Sequence, residues 1–210
     1  MVHTRVGSSQ SAGREMQAAP SHELLLLKLR TAQQYGDGKS SEWKSRLSSA
    51  LLHAAVMKGD VGVVSGLLKQ GGRSAINSRD EVGLTPLHRA VLSTKGIGRE
   101  AVVQALCQSG PNLEAAFEGL RPLHMAAGRG DHTVLRVLLE QGADKESLTA
   151  DGLSALHCAA AQGALSCVRL LLEANADPHA RSAGMGKRTL LHAAAVRGHP
   201  EIIVVTAAQM

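Results

Sequence analysis

Apolar residues gather along this chain in short runs that return with a fixed period. A leucine-histidine pair opens each unit: Leu52-His53, Leu87-His88, Leu123-His124, Leu156-His157 and Leu191-His192. The histidines stand 35, 36, 33 and 35 residues apart. Small residues follow each pair, and in four units a glycine comes about six residues on: Gly59, Gly130, Gly163 and Gly198. A leucine cluster then closes the unit at Leu67-Leu68, Leu138-Leu139 and Leu170-Leu171-Leu172, with a weaker Ala105-Leu106 in the second. Val134, Leu135, Val137, Leu138 and Leu139 fall at the spacing of one buried helix face. Each unit therefore predicts helix, turn, helix and an extended loop. Repetition at this period signals a stacked array. Such an array presents a surface rather than an active-site cleft.

The second unit opens Gly83-Leu84-Thr85-Pro86-Leu87-His88-Arg89-Ala90. This resembles the G-x-T-P-L-H-x-A opening of an ankyrin repeat. The third supplies the remainder, Leu123 to Gly130 and then Val134 to Asp144, and the fourth repeats it from Leu156 to Asp177. The resemblance covers residues 47–210. It implies an all-α solenoid of stacked helix-turn-helix units with projecting hairpin-like loops. The repeats are expected at about 47–79, 80–115, 116–148, 149–182 and, in part, 183–210. Residues 1–46 read as a leader, disordered apart from one short helix at about 21–35 that Ser21 caps.

Each motif residue has a local role. Thr85, Ser154 and Thr189 can accept from orphan N–H groups as N-caps. Pro86 and Pro122 suit the first helical position. Gly71, Gly110 and Gly142 stand where a helix ends, and Asn175 takes that place in the fourth unit. There are departures. The first unit has Ala50-Leu51 in place of Thr-Pro, and Arg121 holds the third cap position. Arg121 is a poor cap, so Arg121→Thr is expected to stabilise the repeat by about 1 kcal/mol. The second unit carries a longer turn, Ser93–Glu100, and the fifth an enlarged loop, Gly184-Met185-Gly186-Lys187. Its last helix runs Glu201–Ala207, with Thr206-Ala207 replacing the leucine pair. A terminal repeat needs a polar outer face or further repeats. The apolar run Ile202–Val205 leans toward a longer array over a divergent cap.

Composition is that of an ordinary soluble domain, with 44% apolar and 20% charged residues. Tyr35, Trp43 and Phe117 are the only aromatics, so the core must be aliphatic. Cys107, Cys158 and Cys167 are odd in number and irregularly spaced, which suits buried free thiols and an intracellular setting, cytoplasmic or nuclear. No apolar run reaches the roughly 18 residues of a membrane span. Leu24-Leu25-Leu26-Leu27 is too short and too late for a secretory signal. The acid-free first fourteen residues, with Arg5 and Arg14, faintly resemble a transit peptide; a disordered tail explains them as well.

Five recurring histidines raise a metal question. Packed helices stand about 8–10 Å apart, while zinc needs ligands near 2 Å, so successive histidines cannot share an ion. The resemblance implies that each histidine ties its helix to the neighbouring loop. His22, His132, His179 and His199 show no ligand spacing. Gly184-Met185-Gly186-Lys187-Arg188 lacks a full phosphate-loop pattern, and no serine sits in a nucleophile elbow. No cofactor and no catalysis are expected.

The resemblance also implies where a partner would touch: the finger tips and the concave face of the first helices. The finger candidates are Val82, Leu84, Phe117, Glu118, Leu120, Leu153 and Arg188, beside Glu81, Ala150, Asp151 and Lys187. The groove candidates are Lys58, Leu92, Arg129, Gln162 and Arg197, beside Met57 and Val196. Lys58, Arg129 and Arg197 suggest a positive stripe for an acidic peptide or protein surface, with Arg89, Lys95, Arg99, Lys187 and Arg188 as additions. A solvated basic face is the plainer alternative. Phe117 is either an anchor buried on binding or a packing residue between fingers. From Arg46 onward, seventeen basic residues face fourteen acidic ones, a balance of only +3. With base-stacking aromatics missing, nucleic acid is not the expected partner, nor is a membrane. The expected function is non-catalytic protein recognition by a monomeric adaptor or scaffold. The alternatives are a regulatory fragment of a larger protein, whose effector domain (enzyme or channel) is absent, and a structural spacer.

Overall fold

The computed structural model describes residues 41–69, 74–93, 98–182 and 189–208, with side chains from residue 45 onward. The leader helix expected at 21–35, Gly71, Lys95 and the 183–188 loop with Lys187 and Arg188 lie outside the described residues. Ten helices follow in pairs: α1 Ser41–Lys58 with α2 Val61–Lys69, α3 Pro86–Leu92 with α4 Arg99–Cys107, α5 Pro122–Gly128 with α6 His132–Glu140, α7 Ala155–Gln162 with α8 Leu165–Glu173, and α9 Leu190–Arg197 with α10 Pro200–Ala207.

The odd-numbered helices pack side by side as one row, α1 on α3 through α7 on α9. The even-numbered helices form the second row, α2 on α4 through α8 on α10. Between the rows lies a continuous aliphatic core. Leu52, Leu87, Leu123, Leu156 and Leu190 are fully buried in the first row, and Leu106, Leu135, Leu138, Leu171 and Ile202 in the second. Ala126, Ala127, Ala159 and Ala160 are wholly covered, which lets α5 and α7 approach closely.

α1 begins at Ser41, ahead of residue 47. The cause is local. With Ala50-Leu51 where the other units carry a cap and proline, nothing stops the helix from running upstream. At Thr85 and Ser154 the cap works as expected, whereas Thr189 closes no side-chain cap hydrogen bond. Thr85 Oγ1 accepts from His88 N at 3.4 Å, and Ser154 Oγ from His157 N at 3.4 Å.

Loops between the pairs close as short fingers. Asp80 N donates to Leu84 O, Phe117 pairs with Leu120, and Thr149 N donates to Leu153 O. Only isolated antiparallel bridges occur among the described residues, so the fingers are turns rather than strands. Gly119 lies hard against the third finger: a Cβ there would come within 2.4 Å of Ala150 Cβ. With its φ of 76°, only glycine suits this position.

Two sets of bonds tie the fingers into the stack, the first of them from repeat to repeat. One is a finger ladder. The Asn77, Glu114 and Glu146 side chains accept the backbone N–H of Asn112, Asp144 and Asp177 at 2.7, 2.9 and 3.0 Å. The other is built on the histidines. His53 and His124 donate through Nε2 to the carbonyls of Ser78 and Ser147, at 3.2 and 2.9 Å. Nδ1 faces the other way and accepts from the cap residue's N–H, at 3.3 Å from Thr85, 3.3 Å from Arg121 and 3.4 Å from Ser154. His88 departs from the pattern. Ala115 stands where Ser78 and Ser147 stand, in a finger one residue shorter, and His88 Nε2 closes no hydrogen bond of ordinary geometry. The Phe117 ring meets it edge-on instead, with centroids 6.3 Å apart.

Arg121 corrects the expectation placed on it. Its guanidinium donates to Leu148 O in the next finger and pairs with Glu114 at 3.1 Å. A threonine would gain a cap worth about 1 kcal/mol. It would forfeit a charged hydrogen bond of roughly 1.5–3 kcal/mol and a partly exposed ion pair worth less than about 1 kcal/mol. Arg121→Thr should therefore lower stability by about 1 kcal/mol, read as a lower urea midpoint. A raised midpoint would show that the cap outweighs the finger contacts.

Candidate functional site

Inner helices and fingers meet at one corner, because each finger runs straight into the cap of an odd-numbered helix. Finger tips stand at one edge of the odd-numbered helix row and helix C-terminal ends at the other, which is the groove that the resemblance implies. At the second rim Lys58, Arg129, Gln162 and Arg197 are all exposed. Leu92 is half-buried and packs on the core. Met57 and Val196 beside them are 54% and 71% exposed.

On the finger rim Val82 is 59% exposed, and Glu118 is exposed on a left-handed backbone of φ 50°. Leu84, expected at a tip, is buried at 4% exposure and offers a partner no side chain. Its backbone closes the finger on Asp80, which turns the side chain into the stack. Leu120 and Leu153 are half-buried in the same column. An apolar residue recurring just before each cap reads as packing. Phe117 is half-buried, lying over Gly83 and against His88. Leu148, a finger residue not singled out in the sequence, is 43% exposed. The hollow of about 310 Å³ lined by Ser65, Lys69 and Gln108 opens between α2 and α4, away from this face.

Charge separates the basic residues singled out in the sequence into two groups. Arg89 pairs with Asp80, Arg99 with Asp131 and Arg121 with Glu114. These three brace neighbouring segments. Arg99 also donates to Ser93 O at 3.0 Å and so closes the long second turn. Lys58, Arg129 and Arg197 have no carboxylate within ion-pair distance among the described residues. The tips carry the opposite sign. Glu81, Glu118 and Asp151 sit one to a finger in three successive fingers, all exposed. Reading the fingers as columns in the sequence would have shown this row.

Asp80 is the most connected carboxylate. Burial alone would raise its pKa, but the Arg89 guanidinium and the Leu84 and Val82 amides hold it below the ordinary value. Burial lowers His53, His88 and His124 below the usual imidazole range, and the nearby carbonyls only partly oppose it. Burial pushes the Cys107, Cys158 and Cys167 thiols up to about 11, which suits inert packing groups. Among the described residues no three His, Cys, Asp or Glu side chains lie where they could hold a metal ion.

A family model described as ankyrin repeats (3 copies) matches residues 16–116 and 98–182. The chain belongs to the ankyrin-repeat family. Ankyrin repeats mediate protein–protein interaction, and this array is built on that plan. It is similar to Ankyrin repeat and SOCS box protein 3 from Homo sapiens, with 30% identity over 97 residues, 46% of this chain and 18% of that protein. The protein of the same name from Bos taurus is 32% identical over 97 residues, with the same coverage. The chain thus spans 18% of the length of these curated relatives. No helix among the described residues is long and apolar enough to cross a membrane.

The buried histidines make the array sensitive to acid. Their folded pKa values lie below the unfolded value of 6.5. Their contribution is complete above that pH and is lost as pH falls below it. The urea midpoint should therefore drop between pH 7.5 and 5.5, and His124→Asn should flatten the dependence. Equal midpoints at the two pH values would contradict this.

Proposed function

We propose that this array is a non-catalytic recognition module, an adaptor or scaffold that holds a protein partner across its finger tips and concave groove. The observation that carries this reading is the division of cations. Arg89, Arg99 and Arg121 serve the fold, while Lys58, Arg129 and Arg197 project from equivalent ends of inner helices without an internal partner among the described residues. Exposed cations of this kind steer an acidic surface toward the groove and make association salt-sensitive. The working unit in this reading is a monomer without cofactor or catalysis. Its free thiols, Cys107 and Cys167 buried and Cys158 partly so, suit a reducing intracellular compartment, cytoplasm or nucleus.

A second reading is a regulatory part of a longer protein with its effector elsewhere. One observation favours it: the chain matches relatives over 18% of their length.

The test is affinity capture from lysate of the source cell, comparing wild type with Lys58→Glu/Arg129→Glu/Arg197→Glu, both checked for helicity. Expected is a protein retained by wild type and lost from the triple variant at low salt. Equal retention would move the contact to the fingers around Phe117. No specific retention by either would leave the second reading or a spacer.

A further inference from the structure

The groove has two charged rims of opposite sign, and their spacings constrain what can lie between them. Stacked repeats advance by about 8–10 Å, the separation of packed helices. Glu81, Glu118 and Asp151 stand one to a finger, Glu118 and Asp151 just before the turn glycine and Glu81 one residue earlier. Lys58, Arg129 and Arg197 stand in the first, third and fifth units, so they recur at about twice the step. A partner segment must match both rows at once.

An extended strand fits poorly. Its side chains alternate, so those on one edge recur at about 6.6 or 13 Å. An α-helix fits well. Seven residues rise about 10.5 Å and return to nearly the same side, and fourteen rise about 21 Å. The room suits a helix too. An inner helix of seven or eight residues separates each finger from the second rim, a span of about 11–12 Å, against a helix diameter of about 10–12 Å. In the fourth and fifth units the floor between the rims carries small, partly covered side chains, Cys158, Ala161 and Ala193, which allow close approach, while Arg89 and Met125 take the place of Cys158 in the second and third.

We propose that the groove binds an α-helix with two opposite charged edges: Lys or Arg every seventh residue toward the finger tips, and Glu or Asp about every fourteenth toward Lys58, Arg129 and Arg197. This rests on the recognition reading above and adds the partner's shape and polarity. The bound helix lies across the inner helices, along the stacking direction. Its dipolar cross-section fixes which edge faces the fingers, so a uniformly acidic segment is repelled by one rim.

The probe is a synthetic 28-residue helical peptide with a Lys edge and a Glu edge at these intervals, labelled for fluorescence anisotropy at low and high salt. Two control peptides replace either all Lys or all Glu by Gln. The bipolar peptide should bind wild type at least tenfold tighter than either control, and lose affinity with salt. Glu81→Lys/Glu118→Lys/Asp151→Lys should remove its advantage over the Glu-only control while leaving that control bound. If the triple variant loses helicity, Glu118→Gln replaces Glu118→Lys, since that residue has φ 50°. Equal binding of the bipolar and Glu-only peptides, or no effect of the finger substitutions, would overturn the bipolar helix and leave an acidic partner for the groove standing. No binding of any peptide would overturn it as well, with the capture experiment deciding the broader reading independently.

Discussion

In the second to fourth units the inner helix starts on an imidazole held against its cap residue, and at His124 both ring nitrogens are bonded. Nδ1 accepts the backbone N–H of the cap residue, three positions earlier, and so fixes the start of an inner helix. That obliges Nε2 to carry the proton, and at His53 and His124 it donates to the carbonyl of the following finger. At His124 one side chain thus bonds the cap of its own helix and the finger that follows. Protonation would remove the acceptor and leave a charge in an aliphatic interior. The first unit shows the arrangement incomplete. Its cap is missing, and His53 Nδ1 finds no hydrogen-bond donor among the described residues, only the Asp80 carboxylate at 3.8 Å.

The fold was legible because its determinants are local and repeated. Thr85, Pro86 and His88 act within one turn of helix, so their spacing alone predicts their bonding. What was not legible depends on contacts between repeats. Arg121 looks like a defective cap until Leu148 and Glu114 are seen beside it. Arg99 looks like a groove cation until Asp131 neutralises it. Leu84 looks like a tip residue, but the turn at Gly83, with φ 98°, carries its side chain inward. Each concerns long-range geometry that a motif does not encode. The start of α1 is the reverse case. The absence of cap and proline was visible, and the longer helix follows from it.

The candidate surface emerges by subtraction. Cations committed to bracing the fold are set apart, and among the others Lys58, Arg129 and Arg197 share one rim. Leu120 and Leu153 are partly withdrawn into packing, and Phe117 is shared between its own finger and the preceding one. Charge at exposed tips and helix ends is left as the distinguishing feature of the concave face, on a scaffold made rigid by the finger ladder. Affinity would come from many modest contacts on this surface, since exposed ion pairs contribute little singly.

The most direct test of this account is the tautomer and charge of the histidines, read from ring nitrogen-15 shifts and couplings by NMR at pH 7.5. His88 and His124 should each show the neutral form with the proton on Nε2, persisting below the pH at which exposed histidines titrate. A proton on Nδ1, or rapid averaging of the two forms at these positions, would contradict the claim that imidazole couples each cap to the stack.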